Sequence, residues 1–557
     1  MGCLIFLFSF SLLFAGEPLV SVDQVTGYVI ESYDFVVKGK TKDFALRREV
    51  VPPAGDPTFS SEEAMKQALV DKKQKLINKR IFTSVDFTYA LSSYSKGIAS
   101  YAVTFFIEDA STFLAIPYPK FDNDQIGLRL GVKIYDKNLF GTFGDLYMVG
   151  HISQGNGGLT GWENREDYLE MTITDLPIGK TLLDFSFDYS QTKNSTNGGD
   201  VDFSINWTGI KLFGSNFSIE PWGKFDPSSD FTTWNPDEYG VIWTLGPFFQ
   251  NEGQYSLYNK LKLYDESKNL YTLTYINQLG LSIFTHPISF NISAETDTIL
   301  GSETLNYLNL GATVGTGFQL PFGLYWSTSF GSFVHYKPNN LVLPYSHLFS
   351  NTISKSKINW EGNFRKGSSF SLKYTTETYP QVEYESSSYW YIESEFSYFP
   401  IATKHFNPSI QFIGYRTNSE GGDHRYFIPS DSDEDIDDYF RGYLSSTISD
   451  MNLETGSPYG AIFNINLSMT FIDFGFANTY ANPFLDIGFF EDPANPGELL
   501  VLSSAGAEGY VIFDKFPSYP IRGSLGFNLS DVKKALNDEI SISDVEFELT
   551  IGMGLFF

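Results

Sequence analysis

Residues 183–190 read Leu-Asp-Phe-Ser-Phe-Asp-Tyr-Ser, so that Leu183, Phe185, Phe187 and Tyr189 alternate with Asp184, Ser186, Asp188 and Ser190. Successive side chains of a strand point to opposite faces, and this stretch therefore carries a greasy face and a polar one. The pattern extends in both directions. Ile126, Leu128, Leu130, Val132 and Ile134 alternate with Gly127, Arg129, Gly131 and Lys133, and Phe463, Ile465, Leu467, Met469 and Phe471 alternate with Asn464, Asn466, Ser468 and Thr470. At the chain end, Val545, Phe547, Leu549, Ile551, Met553, Leu555 and Phe557 stand against Glu546, Glu548, Thr550, Gly552 and Gly554. After residue 16 no run of about 18 apolar residues occurs, so no transmembrane helix is available. A soluble sandwich also alternates, but with its polar face outward and usually with shorter strands. Here the polar face is rich in Gly, Ser, Asn and acid, which suits a hydrated lumen. Aromatics such as Trp390, Tyr398 and Phe399 gather towards strand ends, as an interfacial girdle would. The expected fold class is mostly β, a transmembrane antiparallel β-barrel, with a secreted sandwich as the alternative. Between Gln125 and Phe557 the pattern marks from sixteen to twenty-two segments, because Asp200 to Trp222 reads either as one interrupted strand or as two with a turn at Gly214-Ser215.

The 557 residues contain 38 Lys+Arg against 66 Asp+Glu, a net charge of -28, which a phosphate backbone would repel; nucleic acid is excluded as a partner. Apolar residues at 42% are ample for a core, so the chain folds. The charge is divided unevenly. Residues 17–120 hold 13 basic and 13 acidic side chains, and the whole -28 falls within 121–557. The only cysteine, Cys3, lies beside an apolar run from Leu4 to Phe14 that is too short to span a bilayer and is followed by Ala15-Gly16. Residues 1–16 read as a secretory signal peptide.

The next hundred residues have a different rhythm. Tyr28 to Val37 is a strand candidate, Thr41 to Val50 a short helix, and Pro52-Pro53-Ala54-Gly55-Asp56 a break. Ser60 with Glu63 forms a capping box opening a helix to about Arg80, with Met65, Ala68, Leu69 and Leu76 on one face. Val85 to Tyr89 and Ser100 to Ile107 follow as strands. The order strand, helix, helix, strand, strand describes a small soluble α+β module over 17–120.

Several strings carry a resemblance. Lys40-Thr41-Lys42-Asp43, Arg47-Arg48-Glu49, Gly55-Asp56, Leu76-Ile77-Asn78-Lys79-Arg80-Ile81-Phe82 and Val85 resemble a polypeptide-transport-associated (POTRA) domain. Ile116-Pro117-Tyr118-Pro119 and Asp136-Lys137-Asn138-Leu139-Phe140-Gly141 are similar to the barrel entrance of the BamA-like outer-membrane assembly factor superfamily. Phe440-Arg441-Gly442-Tyr443 resembles that family's loop motif, which folds back into the lumen, and Phe484-Leu485-Asp486-Ile487-Gly488 resembles the Phe-x-Asp-x-Gly motif of the strand it meets. Both occur in the family's order, before a C-terminal Phe557. Independently of the resemblance, a lumen carboxylate and a guanidinium on a long loop can form a bidentate, charge-assisted contact, and Gly442 and Gly488 permit close approach.

The resemblance implies a barrel of sixteen strands over 121–557, with loop 417–459 folding into the lumen and a seam between the first and last strands. It further implies residence in the cell outer membrane, with the POTRA-like domain in the periplasm. The implied function is assembly or insertion of outer-membrane β-barrel proteins by strand templating at the seam. Expected partners are unfolded outer-membrane proteins as clients, the lipid bilayer and periplasmic accessory proteins. The alternatives are a two-partner-secretion-like polypeptide transporter and a passive porin or adhesin. No enzyme activity, cofactor or metal is expected: the six histidines (151, 286, 335, 347, 405, 424) show no ligand spacing. The acidic run Asp431, Asp433, Asp435, Asp437 is similar to a calcium loop but lacks its glycine and final glutamate spacing, so it reads as a solvated loop.

Overall fold

The computed structural model describes residues 25–52, 55–122, 127–154, 165–192, 199–212, 215–227, 234–248, 255–264, 274–283, 286–298, 305–336, 345–378, 388–418, 440–443, 458–492 and 495–553. The chain divides into two compact units, up to Asp109 and from Ala110 onward.

In the first unit the chain runs β1 (Gly27–Lys38), α1 (Asp43–Val50), α2 (Glu62–Asn78), β2 (Phe82–Ser95) and β3 (Ile98–Asp109). The sheet order is β1-β3-β2, with β1 parallel and β2 antiparallel to the central strand. Met65, Leu69 and Leu76 recur on one face of α2 and are fully buried with Leu46, Val103 and Phe105, while Ala68 is half-buried. Each such large side chain contributes about 1.5–3 kcal/mol by leaving water. The helix starts one residue later than the sequence pattern suggests: Ser61, not Ser60, is the cap, its hydroxyl accepting from Ala64 N at 3.1 Å. Two adjacent serines are equally able to cap, and the apolar spacing alone does not choose between them. The Asp109 carboxylate at the end of β3 accepts from Lys40 N, Thr41 N and the Thr41 hydroxyl, fastening the turn before α1. Asp56 lies between the Tyr33 hydroxyl at 2.5 Å and Lys72 Nζ at 3.0 Å. Burial, followed by the hydrogen bond and charge of Asp56, pushes the Tyr33 hydroxyl well above the usual phenol range.

The second unit begins before residue 120, where the sequence reading divided the chain. Phe113–Asp122 (β4) pairs residue by residue with Gly127–Leu139 (β5) and so belongs to the strand array. From β4 to β25 (Phe547–Met553) the described residues form a nine-stranded and a thirteen-stranded antiparallel meander, each strand paired with its neighbours in sequence. This is twenty-two strands, not the sixteen implied by the resemblance. The difference lies in the connections: Ile178 and Thr181, Glu361 and Phe364, and Phe513 and Phe516 bracket turns of only two residues, and Ser215 pairs directly with Leu212. Asp200 to Trp222 accordingly resolves into two strands, Asp200–Leu212 and Ser215–Pro227. Gly179 and Gly362 supply the left-handed backbone that such tight turns need, at φ 66° and 64°.

The connections differ by end. Those joining each odd-numbered strand of the array to the following even one are short, whereas the opposite end carries the segments 154–165, 379–387, 418–458 and 529–546. At the short-turn end Ser111 N donates to Lys515 O at 2.9 Å, and the Tyr519 hydroxyl donates to Thr112 O at 2.8 Å. The beginning of β4 thus meets the turn between Leu499–Phe513 (β23) and Phe516–Asn528 (β24). β25 lies beside β4, and Tyr255–Tyr264 (β12) beside Thr274–Ile283 (β13); among the described residues no ladder joins either pair.

The array is inside out relative to the first unit. Leu130, Val132, Phe463, Ile465, Phe547 and Ile551 are exposed, while Arg129, Lys133, Asn464, Asn466 and Asp486 are buried. Among the described residues no helix is long and apolar enough to cross a membrane.

Candidate functional site

The alternation places Asn464, Asn466, Phe484, Asp486, Gly488, Ser504, Glu508, Arg522 and Gly526 on one face of Tyr459–Asp473 (β21), Ala477–Glu491 (β22), β23 and β24. Register then brings them side by side: Asn464 opposes Asp486, Asp486 opposes Ser504, and Phe484 opposes Gly506. Asp486 lies five residues below Glu491, where β22 ends, which at ~3.3 Å per residue sets it about 16 Å along the strand.

Phe440–Tyr443 lies in the long connection between Phe406–Thr417 (β20) and β21 and packs onto this face. Arg441 Nε donates to Asp486 Oδ2 at 2.8 Å and Nη2 donates to Oδ1 at 2.7 Å, a fork-on-fork contact, and the Arg441 backbone N–H reaches the same carboxylate at 3.2 Å. Nη2 also donates to Asn466 Oδ1 at 3.0 Å, and the guanidinium carbon sits 3.6 Å from the centre of the Phe484 ring. Arg441 is 3% and Asp486 0% exposed, so the pair is withdrawn from water; charge assistance and the aromatic face replace its hydration.

Glu508 extends the network. Its Oε1 lies 3.2 Å from Arg441 Nη1 and 3.1 Å from Arg522 Nη1, and Asn482 Nδ2 donates to Oε2 at 2.6 Å. Two guanidinium groups and two carboxylates balance, which is what burial of all four requires. Phe440 enters an apolar cluster with Tyr443, Ile462, Phe490 and Leu502. A Cβ added at Gly488 would stand 3.0 Å from the Phe440 ring, and Gly442, at φ 85°, lies against Gly526. The arrangement holds a long loop by its middle against a strand wall. It contains no nucleophile–base pair.

The structure therefore brings together Phe440, Arg441, Gly442, Tyr443, Phe484, Asp486 and Gly488. Phe557 lies outside the described residues, as do the acids of 420–438, including the Asp431–Asp437 run. Sequence reasoning set Asn466 and Glu548 on the polar faces of their strands but gave no role to them or to Glu508, Arg522 and Asn482. Arg522-Gly523 is a second Arg-Gly pair in the chain; its strand phase, shared with Ser524 and Gly526, was the available signal that it faces inward.

No family model matches the chain, and no curated protein matches it. Among solved structures it is similar to BamA of Haemophilus ducreyi lacking POTRA domains 1–3, at 12% identity and TM-score 0.32, over 95% of this chain and 85% of that one. It is similar to CdiB of Acinetobacter baumannii at 11% identity and TM-score 0.40, over 95% and 74%. It is also similar to the FrpB iron transporter of Neisseria meningitidis at 9% identity and TM-score 0.47, over 85% and 87%.

Proposed function

We propose that the chain is an outer-membrane barrel with a periplasmic POTRA-like domain, and that it assembles or inserts outer-membrane β-barrel proteins. The observation that carries this reading is the lock of Arg441 on Asp486, by which a loop from the far end is fixed deep on the strand wall. Closure of the array is supported by the bonds that Ser111 N donates to Lys515 O and that the Tyr519 hydroxyl donates to Thr112 O. In hydrocarbon every backbone group must be paired, and a closed ring of strands satisfies that where an open edge does not. The outward Val132 and Ile465 suit lipid, and short turns at one end with long loops at the other match a barrel oriented with its turns in the periplasm.

In the first unit, β1 and β2 are the edges of a three-stranded sheet, and these edges, that of β1 beyond Tyr28, which already pairs with Phe59, are where an extended client would add as a strand. At the boundary of β25 and β4, a client strand pairs with an edge strand before its own barrel closes. Neither step involves covalent chemistry or a cofactor. Clients, lipid and periplasmic accessory proteins are the partners in this reading.

The strand number favours a second reading. A barrel of twenty-two strands encloses a wider lumen than one of sixteen, as a conduit for an exported polypeptide or solute would need, and the loop held by Arg441 would then be its plug. Depletion of the protein followed by quantification of the outer-membrane and secreted proteomes separates the two. Broad loss of barrel proteins supports assembly; loss of one secreted protein, or of one solute's uptake, supports transport and sinks the assembly role.

A further inference from the structure

Gly442 is where the loop meets the end of the strand array. Its left-handed backbone, at φ 85°, turns the N–H towards β25, where it donates to Glu548 Oε2 at 2.6 Å. The approach is possible because two glycines face each other: a Cβ on Gly526 would stand 2.7 Å from Gly442 Cα, and one on Gly442 would stand 2.9 Å from Ser504 Cβ. Gly526 is the register partner of Glu548, so the loop backbone passes over β24 at the only glycine on that face of the strand and reaches the carboxylate on the next strand. The other carboxylate oxygen, Oε1, accepts from the Thr550 hydroxyl at 3.1 Å, which orients the group. Phe547 and Ile551 point the opposite way and are exposed. The described part of β25 is a seven-residue ladder against β24, with β4 as its other neighbour.

We propose that Glu548 is a latch: a positioning residue through which the loop tip, itself fixed by Arg441, holds β25 against β24, so that parting of β25 from β4 is controlled from the lumen. The inference rests on the reading of the β25/β4 boundary as the working seam. Mechanically, β25 moves away from the wall only if the Gly442–Glu548 bond breaks or the loop moves with it. Release of Arg441 from Asp486 therefore frees β25 as well.

The test is amide hydrogen exchange of the full-length protein in lipid, comparing 521–527 and 547–553 with the remote strands Leu305–Gln319 and Tyr325–Tyr336. Glu548→Ala removes a charge-assisted acceptor and is expected to speed exchange in 547–553 by about tenfold or more, leaving the remote strands unchanged. Glu548→Gln keeps an acceptor without charge and should give a several-fold increase; it carries the test should the alanine variant not assemble. Arg441→Ala should speed the same amides, and adding Glu548→Ala to it should speed them no further. Exchange in 547–553 at the wild-type rate in the Glu548 variants, or equal acceleration in the remote strands, overturns the latch. The readout does not depend on clients: a responsive β25 together with an unchanged proteome after depletion supports the latch and sinks the assembly role.

Discussion

The two units of this chain solve opposite solvation problems with the same amino acids. In the first, Leu69, Met65 and Phe105 are inside and Lys38, Lys40 and Lys66 outside, as in a soluble α+β domain; in the second, Asn464, Asp486 and Arg441 are inside and Ile465 and Val132 outside. The first gains its stability by removing hydrocarbon from water, and its polar contacts serve as fasteners. On the membrane reading proposed above, the outward hydrocarbon of the second has a different solvent to satisfy, and specificity moves to the polar interior. There an unpaired charge costs several kcal/mol, and matched charges define one arrangement.

The sharpest test of that contrast is the buried lock. Arg441→Ala leaves Asp486 and Glu508 facing each other's field with one guanidinium fewer, and Asp486→Ala takes from Arg441 the carboxylate that its Nε and Nη2 both reach. Each should destabilise the second unit by about 3–5 kcal/mol, and the double variant should be little worse than either single one. The shift in temperature of heat-modifiable electrophoretic migration measures it. Strictly additive losses would show that the two residues act separately and would remove the lock from the argument.

A smaller effect compares the two surfaces directly. Val36 in the first unit is 54% exposed and Val132 in the second 48%, nearly the same by area. Val36→Arg should change stability by no more than about 0.5 kcal/mol, since a solvated cation there displaces nothing. Val132→Arg, read as facing lipid, should cost about 2–4 kcal/mol near the bilayer centre and reduce the amount assembled in the membrane. Equal tolerance of both substitutions would mean that the two exteriors face the same solvent.

What could be read from the sequence follows from the same difference. Alternation is a local property, so the polarity of β5, β21 and β25 was legible residue by residue, and the order of elements in 25–109 was legible from helical spacing. Strand number was legible only as a range of sixteen to twenty-two, because division of the length among strands depends on turn lengths, and a two-residue turn such as Gly179-Lys180 leaves almost no mark between two alternating runs. The pair Arg441 and Asp486 was legible through its flanking motif residues. Glu508, Arg522 and Glu548 were not: each is one polar residue in an alternating strand, and only cross-strand register and the fold of the loop bring them to Arg441 and Gly442.

The mildest prediction concerns the first unit on its own terms. Residues 17–109 expressed alone should give the circular dichroism of a folded α+β domain, and an unfolded spectrum would deny the unit its independence. Within it, Glu49 sits between Lys75 Nζ at 3.0 Å and Lys79 Nζ at 3.1 Å. Burial alone would raise this carboxyl, but the hydrogen bonds and charges of Lys75 and Lys79 outweigh it and bring it below its usual value of 4.5. A carboxyl depressed by folding contributes stability that is complete above that usual value and is lost as the pH falls through the lower, folded one. Glu49→Gln should therefore cost the domain under about 1 kcal/mol at pH 7, since both lysines remain partly in water, and nothing once both states are protonated at strongly acid pH. Urea denaturation of the two proteins at neutral and acid pH measures the difference. A gap between them that stays constant on acidification would assign the loss to packing and not to charge, and in that case Glu49 would belong with the apolar fasteners of this unit, unlike the charge-defined wall of the other.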